Sequence, residues 1–363
     1  MIPESPITDS TISGQGSRSS DKEVVIITGG SGLIGSAIIN RLSVKYRIVA
    51  FDKGTDSLPP IVAEMIYVDI TSEKSISEAM KRIGYGYGKT IASVVHLAAY
   101  YDFAGKPSPL YDEITVNGTK KLLQALQGFV VEQFIFSSSL LVYTPIKPGQ
   151  KITENSPLQP KWDYPKSKVK AEKVIHEQRK NIPSVILRIA GVYNDQGSSI
   201  PIANHIQRIY EKQVTSHFFP GDISHGNPFI HLDDLVSAIV KTIEKRKAIS
   251  HEVIINIGEA ETLSFEYLQK TIGELIHGKE WKTYRIPKFI AKTGAMIQDI
   301  FGDPFIKAWM IDMADDHMEL DISKAKNLLD WQPQHSLRST LPKMIAALKA
   351  SPEQWYRLNR LKK

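Results

Sequence analysis

The residues best placed to do chemistry are a tyrosine and a lysine four positions apart, Tyr164 and Lys168, with Ser139 upstream. On a helix this spacing puts both side chains on one face. A phenol has a pKa of about 10, so it acts as a base near neutral pH only if that pKa is lowered. An ammonium one turn away favours the phenolate, and so does a helix N-terminus beneath the tyrosine. With Ser139 holding the substrate oxygen, the three residues predict proton exchange with an alcohol or a ketone.

A glycine-rich turn near the N-terminus predicts the hydride carrier that such proton exchange requires. The turn follows an apolar strand at 24–27 and precedes an amphipathic helix. Gly30, Gly32 and Gly35 match the G-x-G-x-x-G dinucleotide fingerprint, in the strand-turn-helix context that the fingerprint needs. Glycine permits positive φ and a close approach of the pyrophosphate, which the helix N-terminus then faces.

An acidic residue, Asp52, ends the second apolar strand about twenty residues after the turn. A carboxylate at this place accepts hydrogen bonds from the adenosine ribose and repels a 2′-phosphate, so it favours NAD over NADP. The cation Lys53 follows at once and works against that preference.

In its motifs the chain resembles the extended short-chain dehydrogenase/reductases of the NAD-dependent epimerase/dehydratase type, from residue 22 to about residue 348. The matching residues are Thr28, Gly29, Gly32 and Gly35 in the family's TGxxGxxG turn, Asp69 at its adenine-contacting acid, Leu97, Ala98 and Ala99 in its fourth-strand motif, Asn117 in its Val-Asn-Gly-Thr segment, Ser139 at its catalytic serine, and Tyr164 with Lys168 at its Tyr-x-x-x-Lys pair. Further along, the segments 229–234 and 322–333 resemble its "FIHVDD" and C-terminal motifs.

The resemblance implies roles for individual residues. It makes Ser139, Tyr164, Lys168 and Asn117 the catalytic set, with no metal. It implies that NAD is held by Gly29, Gly32, Leu33, Ile34, Gly35, Asp52, Lys53, Asp69, Ile70, Leu97, Ala98, Ala99, Ser137, Tyr164 and Lys168.

The order of the predicted elements indicates the fold class and the division of the chain. Strands alternate with amphipathic stretches, which predicts an α/β fold with a Rossmann-type, doubly wound parallel sheet. We predict strands at 24–28, 47–51, 65–69, 91–97, 132–137 and 184–190. We expect a disordered extension at 1–20, an NAD-binding domain at 21–192 to which the chain returns around 229–258, a smaller substrate-binding lobe at 193–228 and 259–348, and a solvated basic tail at 349–363.

Composition excludes several other classes of protein. The 363 residues include no cysteine, which excludes disulfides, cysteine nucleophiles and thiolate metal sites. No stretch of about eighteen uncharged apolar residues is present, so we expect no membrane span, and residues 1–20 lack a signal-peptide pattern. We expect a cytoplasmic protein. The net charge of +6 is mild and scattered, which argues against nucleic-acid binding.

Four polar or aromatic features allow two interpretations each. Asn117 either bridges backbone groups as a buried polar residue or, as in the family, sits at a helix kink in a proton relay. His96 is more typical of a structural histidine at a strand end. A metal site is one interpretation of His231, Asp233 and Asp234. The preferred interpretation is that one of the two aspartates caps the helix that follows. The aromatic segment 100–103 follows a strand end, which favours a wall of the substrate pocket over core packing.

The substrate is the least determined part of the prediction. Leu140 and Leu141 stand where the family's dehydratases carry an Asp-Glu pair, and neither can exchange a proton. Nucleotide-sugar epimerases usually carry an arginine before the "FIHVDD" segment to pair with the diphosphate, whereas this chain has Asn227 and Pro228. The alternative is that His225, Lys212, Arg208 or Arg285 takes its place.

The leading hypothesis is an NAD-dependent oxidoreductase acting on a small-molecule secondary alcohol or ketone. The alternatives are a nucleotide-sugar epimerase with tightly bound NAD and a cofactor-sensing binding protein. The family also implies a homodimer with twofold symmetry. Its interface would be formed by two helices that present Leu122, Leu123, Ala125, Leu126, Val169, Ala171, Val174 and Ile175.

Overall fold

A computed structural model describes residues 22–54, 62–103, 105–291 and 308–361. Its strands, in chain order, are β1 Val24–Thr28, β2 Arg47–Asp52, β3 Glu64–Tyr67, β4 Thr90–Ile91, β5 Ser93–His96, β6 Val130–Val131, β7 Phe134–Ser139, β8 Ser184–Ile189, β9 Gly191–Tyr193, β10 Phe218–Phe219, β11 Phe229–His231, β12 Glu252–Ile257 and β13 Tyr284–Arg285. Its α-helices are α1 Leu33–Leu42, α2 Glu73–Tyr87, α3 Gly118–Leu126, α4 Asp163–Gln178, α5 Ile200–Tyr210, α6 Leu232–Glu244, α7 Phe265–His277, α8 Ala308–Asp312, α9 Ser323–Leu329, α10 Leu337–Ala350 and α11 Pro352–Leu358. A π-helix, Tyr111–Asn117, runs directly into α3.

A seven-stranded sheet with the strand order β12-β8-β7-β5-β1-β2-β3 organises the fold, and every pairing in it is parallel. The order reverses between β1 and β5, so the chain winds outward in both directions from β1. The predicted doubly wound α/β sheet is therefore confirmed. Ligands of such sheets bind outside the carboxyl ends of the strands, at the point where the order reverses.

Buried apolar side chains form three clusters, one against each face of the sheet and a third in the C-terminal part of the chain. The strands read as continuous apolar runs because both faces of the sheet are covered, and all five residues of β1 are buried. The third cluster is built mainly from α5, α7, α10 and α11. It packs beside the sheet domain, to which the chain returns for α6 and β12.

Several predicted boundaries differ from the structure. The predicted strand 91–97 is divided into β4 and β5, because the chain changes partner from β6 to β1 at Ala92, whose N–H donates to the Val24 carbonyl. The predicted strand 132–137 begins at Phe134 and continues to Ser139. The strand expected at 65–69 ends at Tyr67, since Asp69 turns the chain toward α2 by accepting hydrogen bonds from Thr71.

The expected solvated tail is the largest difference. Helix α10 runs to Ala350 and α11 follows it, with Trp355 only 1% exposed. Tyr356 donates to Glu211, and Asn359 donates to the Gln196 carbonyl at 2.9 Å, so the segment is held against the third cluster. The basic composition masks this in the sequence, because Arg357 and Arg360 are exposed whereas Trp355 and Tyr356 are buried. The extension expected at 1–20 lies outside the described residues.

Candidate active site

The glycine turn between β1 and α1 has the close backbone packing that a dinucleotide site needs. Gly29 has a φ of +73°, in the left-handed region that favours glycine. A Cβ atom added at Gly35 would overlap the Gly29 carbonyl oxygen, so the start of α1 lies directly against the turn. The Leu97 and Ala98 N–H groups donate to the Thr28 hydroxyl at 3.1 and 3.0 Å, which fastens the end of β5 to the end of β1. The turn therefore presents backbone and a helix N-terminus to a phosphate group.

Asp52, the last residue of β2, lies beside the glycine turn. Its carboxylate accepts from the Ser31 N–H at 2.9 Å and from the Gly54 N–H at 3.2 Å, so its position over the turn is fixed. The neighbouring cation Lys53 does not pair with it. Lys53 instead lies 2.9 Å from the Asp69 carboxylate, and this contact and two hydrogen bonds from Thr71 hold the pKa of Asp69 at about 2. The residues present thus fit an adenosine ribose beside the Asp52 carboxylate, because Lys53 pairs with Asp69 instead of with Asp52.

Replacing Asp52 with alanine is expected to narrow the preference for NAD over NADP. The carboxylate repels a 2′-phosphate, and its loss also removes the acceptor for the ribose hydroxyls. Calorimetry on both cofactors, with the parent protein and Asp52→Ala, measures the change. Equal affinities for NAD and NADP in the parent protein would show that Lys53 outweighs the carboxylate.

The other predicted cofactor residues lie around the turn. Leu33 is exposed and Ile34 half-buried at the start of α1, and Ala99 is half-buried just after β5. Ile70 packs closely against Gly118, the first residue of α3. Ser137 donates from its hydroxyl to the His96 carbonyl at 3.3 Å.

The catalytic trio comes together at the carboxyl end of β7. Ser139 is the last residue of β7, and Tyr164 lies in the first turn of α4. The Ser139 hydroxyl accepts from the Leu141 N–H at 3.2 Å and lies near enough to Tyr164 to lower the pKa of its phenol. Lys168 is only 2% exposed, and its ammonium lies 5.6 Å from the centre of the Tyr164 ring. The structure thus brings these three predicted residues together.

The charge states of the trio differ from the prediction. Burial raises the pKa of Tyr164 to about 12, against the smaller, lowering effect of the nearby Ser139 hydroxyl. Burial also lowers the pKa of Lys168 to about 7. The ammonium donates to the Ser137 carbonyl at 2.7 Å rather than to the phenol oxygen. The expectation of a lowered tyrosine pKa is therefore wrong for this arrangement, because desolvation of the phenolate outweighs a lysine that is directed elsewhere.

A buried ion pair beneath the trio was not predicted. Glu172 lies 2.7 Å from Arg188 of β8 and also accepts from the Ser138 hydroxyl, and both members of the pair are almost fully buried. Glu172 follows Lys168 by four residues, as Lys168 follows Tyr164, so one face of α4 carries all three. That spacing was a usable signal. The pair positions the end of β7 against α4.

The predicted Asn117 lies in the irregular helix before α3. Asn117 is exposed at the end of the π-helix, so it is not the buried polar residue of the first interpretation. The buried side chain is Thr115, whose hydroxyl accepts from the Tyr100 N–H at 3.1 Å. Residues two apart on a helix face in different directions. A catalytic role for Asn117 stays a prediction, and the helix irregularity it marks is present.

His96 is a structural residue. Its ring is fully buried, with Nδ1 2.7 Å from the Thr28 hydroxyl and Nε2 2.8 Å from the Thr119 hydroxyl. Burial lowers the pKa of His96 to about 3, so the ring is neutral at physiological pH. The histidine joins β1 and β5 to α3 below the cofactor turn.

Aromatic rings surround the candidate base. The Tyr101 ring meets the Tyr164 ring edge-on, with centroids 4.9 Å apart, and the Trp162 ring lies 5.4 Å away. Tyr101 is 48% exposed, whereas Trp162 is buried. Tyr101 and Trp162 thus form aromatic walls on two sides of the Tyr164 ring. Trp162 was missed because nothing in its local pattern separates a pocket wall from a core residue.

The histidine and aspartates at the start of α6 are also placed differently from the prediction. The cap of α6 is His231, whose Nδ1 accepts from the Asp233 N–H at 3.2 Å, so capping by an aspartate is wrong. Asp233 and Asp234 lie inside the first turn, where their charges favour the helix dipole. His231, Asp233 and His335 lie close enough together to suggest a metal site. However, the two imidazoles stack at 4.2 Å with an 18° interplanar angle, so their in-plane lone pairs do not converge on one ion.

The fold and the site together define a short-chain dehydrogenase/reductase of the extended type. The model of the NAD dependent epimerase/dehydratase family matches residues 25–258, well over half of the chain. The chain belongs to that family and is an NAD-dependent enzyme of it.

Its relatives include epimerases and a reductase. It is 25% identical to a putative UDP-glucose 4-epimerase of Methanocaldococcus jannaschii, over 90% of this chain and 98% of that protein. It is 26% identical to the dTDP-4-dehydro-6-deoxyglucose reductase of Escherichia coli, over 90% of this chain and 98% of that protein. Among solved structures, UDP-glucuronic acid 4-epimerase from Bacillus cereus, in complex with UDP-glucuronic acid and NAD, superimposes with a TM-score of 0.69 at 24% identity, covering 90% and 99% of the two chains. That likeness concerns the fold alone.

Proposed function

We propose that this protein transfers hydride at a secondary alcohol or the corresponding ketone, with Tyr164 exchanging the proton on oxygen. The observation that carries the proposal is the buried Lys168, whose ammonium lies 5.6 Å from the centre of the Tyr164 ring on the same face of α4, with Ser139 at the end of β7 beside them. A bound nicotinamide supplies the hydride chemistry. Ser139 holds the substrate oxygen, Tyr164 gives or takes its proton, and Lys168 supplies positive charge beside the phenol.

A nucleotide-sugar 4-epimerase is the second candidate, and the relatives favour it. Such an enzyme oxidises the sugar, turns the intermediate over and reduces the opposite face with the same cofactor molecule. Against it stands Asn227 where the family's epimerases usually carry an arginine for the diphosphate. The partly exposed ring of Tyr101 suits the apolar face of a sugar ring as well as a less polar alcohol, so the aromatic wall supports both candidates.

Mass spectrometry of gently purified protein separates the two candidates. An epimerase keeps its cofactor through the whole cycle, so retained NAD with a co-purifying nucleotide sugar would favour it. A dehydrogenase must exchange its cofactor, so protein that is largely free of NAD and reduces added NAD with an alcohol would support the leading proposal. Protein that binds NAD and turns over neither kind of substrate would contradict both.

The family's homodimer remains a prediction, and the structure changes its expected interface. Leu122, Leu123 and Leu126 are fully buried within the protomer core, as are Ala171 and Ile175. They cannot form a subunit contact as expected. The outer faces of α3 and α4 instead carry polar residues, namely Lys120, Gln124, Lys166, Lys170 and Lys173.

We expect light scattering at micromolar concentration to give the mass of a dimer. Such an interface would form from the polar faces of α3 and α4, with the half-buried Ala125, Val169 and Val174 between them. A monomer mass would contradict the prediction.

None of the described helices is long and apolar enough to cross a membrane. A cytoplasmic location stays a prediction, which cell fractionation would test.

A further inference from the structure

The lysine of the candidate active site has a carboxylate within reach that it does not bind. Glu172 follows Lys168 by four residues on α4, the spacing at which a lysine and a glutamate commonly form an ion pair. The Lys168 ammonium instead donates to the Ser137 carbonyl at 2.7 Å, near the carboxyl end of β7. Among the ion pairs of the described residues, none joins Lys168 to Glu172 within 4.0 Å.

An arginine of the neighbouring strand occupies that carboxylate. Arg188 of β8 contacts both oxygens of Glu172, with Nη2 2.7 Å from Oε2 and Nε 3.1 Å from Oε1. The Ser138 hydroxyl donates to the same carboxylate. The guanidinium of Arg188 also lies 4.8 Å from the centre of the Tyr143 ring and donates to the Glu154 carbonyl at 3.3 Å. Both members of the pair are fixed, so the charge of Glu172 is balanced without the lysine.

The other ionisable groups around the catalytic trio are neutral near pH 7. Burial raises the pKa of Tyr164 on α4 to about 12, and it also raises the pKa of Tyr111 on the π-helix that packs against α4. Burial lowers the pKa of His96 on β5 to about 3. These three groups therefore leave the charge of the lysine unbalanced.

The charged groups of the elements packed against Lys168 are paired with one another. Asp112 of the π-helix lies 2.7 Å from Lys170 at the surface, and Glu172 is paired with Arg188. Burial lowers the pKa of Lys168, whereas the charge of Glu172 raises it. Any loss of balance in the pair of Glu172 and Arg188 would therefore act on the lysine directly.

We propose that Arg188 is a positioning residue for the reaction, which keeps the Lys168 ammonium at the active site by holding Glu172. This inference rests on the proposed function and adds a residue that acts through two others instead of on the substrate. Without Arg188, the Glu172 carboxylate would be a buried anion with no counter-charge, and Lys168 is the cation one turn away on the same helix face. The ammonium would then turn from the Ser137 carbonyl toward Glu172 and away from the phenol.

NMR of ¹³C-labelled lysine side chains measures the titration of Lys168, and the signal that disappears in Lys168→Met identifies it. In the parent protein we expect a midpoint at about pH 7. Arg188→Met should raise this midpoint by about 1–3 pH units, because an unpaired carboxylate favours the ammonium. Glu172→Gln should lower it by about one unit or more, because it leaves an unpaired guanidinium near the lysine. Two residues that only supported the fold would not shift the midpoint in opposite directions.

A double variant and a distant control separate charge balance from structural support. Glu172→Gln/Arg188→Met removes both charges, so the midpoint should return to within about 0.5 unit of the parent value. Turnover should fall in Arg188→Met and be largely regained in the double variant. Arg179→Met removes the partner of Glu252 at the C-terminal end of the same helix. That charge lies roughly 15 Å along α4 from Lys168, so the midpoint should move by less than about 0.3 units.

A midpoint within about 0.5 unit of the parent value in Arg188→Met would overturn the proposal, because Glu172 would then have taken up a proton instead of attracting the lysine. If Arg188→Met does not fold, Glu172→Gln provides the test, and an unmoved or raised midpoint would refute the proposal equally. These titrations need no substrate. Opposite shifts without turnover of any alcohol would contradict the proposed function alone. Turnover that depends on Tyr164, with a midpoint that does not move, would contradict this inference alone.

Discussion

Replacing Tyr164 with phenylalanine is expected to reduce turnover by at least about 10²–10⁴-fold, the usual contribution of general acid-base catalysis. The substitution removes only the ionisable oxygen and keeps the ring that packs against Tyr101 and Trp162. Cofactor affinity should be nearly unchanged, since the pyrophosphate is held by the glycine turn. Production of NADH from an alcohol or sugar substrate measures turnover, and calorimetry measures NAD binding.

Tyr101→Phe is the matched control for that experiment. It removes a phenol oxygen from the neighbouring ring without changing the aromatic wall, so turnover should stay within about tenfold of the parent. Near-normal turnover in Tyr164→Phe would show that this residue is not the base, and the mechanism would have to be withdrawn. In the parent protein, the oxidation rate should rise toward alkaline pH, because a pKa of about 12 leaves little phenolate near neutrality.

Replacing Lys168 with methionine is expected to reduce both turnover and NAD affinity while making the fold more stable near pH 7. The loss of function follows from the missing charge beside Tyr164 and, as the family resemblance implies, from a missing contact to the nicotinamide ribose. The gain in stability follows from burial, which lowers the pKa of Lys168 from 10.5 to about 7. The unfolded chain therefore binds a proton that the folded protein holds weakly, at a cost on the order of 3–5 kcal/mol at pH 7.

The sign of the pH dependence makes this prediction specific. Between pH 7 and about 10.5 the unfolded parent chain binds more protons than the folded one, so parent stability rises with pH. Lys168→Met lacks that rise, and its advantage should shrink as the pH approaches 10.5. Loss of the hydrogen bond to the Ser137 carbonyl costs about 1–3 kcal/mol, which leaves a net gain of about 2 kcal/mol at pH 7.

Urea unfolding at pH 7 and pH 10 measures both quantities. Lys170→Met is the control, because Lys170 is exposed, pairs with Asp112 at the surface and should alter stability by less than about 1 kcal/mol. If Lys168→Met were less stable than the parent at pH 7 and followed the same pH dependence, burial of the lysine would not be costly. The stability trade-off described here would then be wrong.

The parts of the site that the sequence determined are those set by local geometry. Tyr164 and Lys168 are four residues apart on a helix, and the glycine turn joins a strand directly to a helix, so neither depends on distant neighbours. Asp52 ends a strand beside that turn because adjacent parallel strands bring their carboxyl ends to one edge of the sheet. The alternation of strands and helices was sufficient to predict the doubly wound sheet, because parallel strands need helical crossovers between them.

Only the tertiary structure decided the properties that depend on what covers each side chain. Apolar residues such as Leu122 and Leu126 could have faced another subunit or the protomer core, and the periodicity is identical in the two cases. The same holds for the aromatic residues near the C-terminus. Trp355 is buried in the third cluster, and the local sequence pattern does not show that this cluster exists. The charge states of Tyr164 and Lys168 were also undetermined, because desolvation by the whole surrounding fold outweighs the one local interaction that the sequence displays.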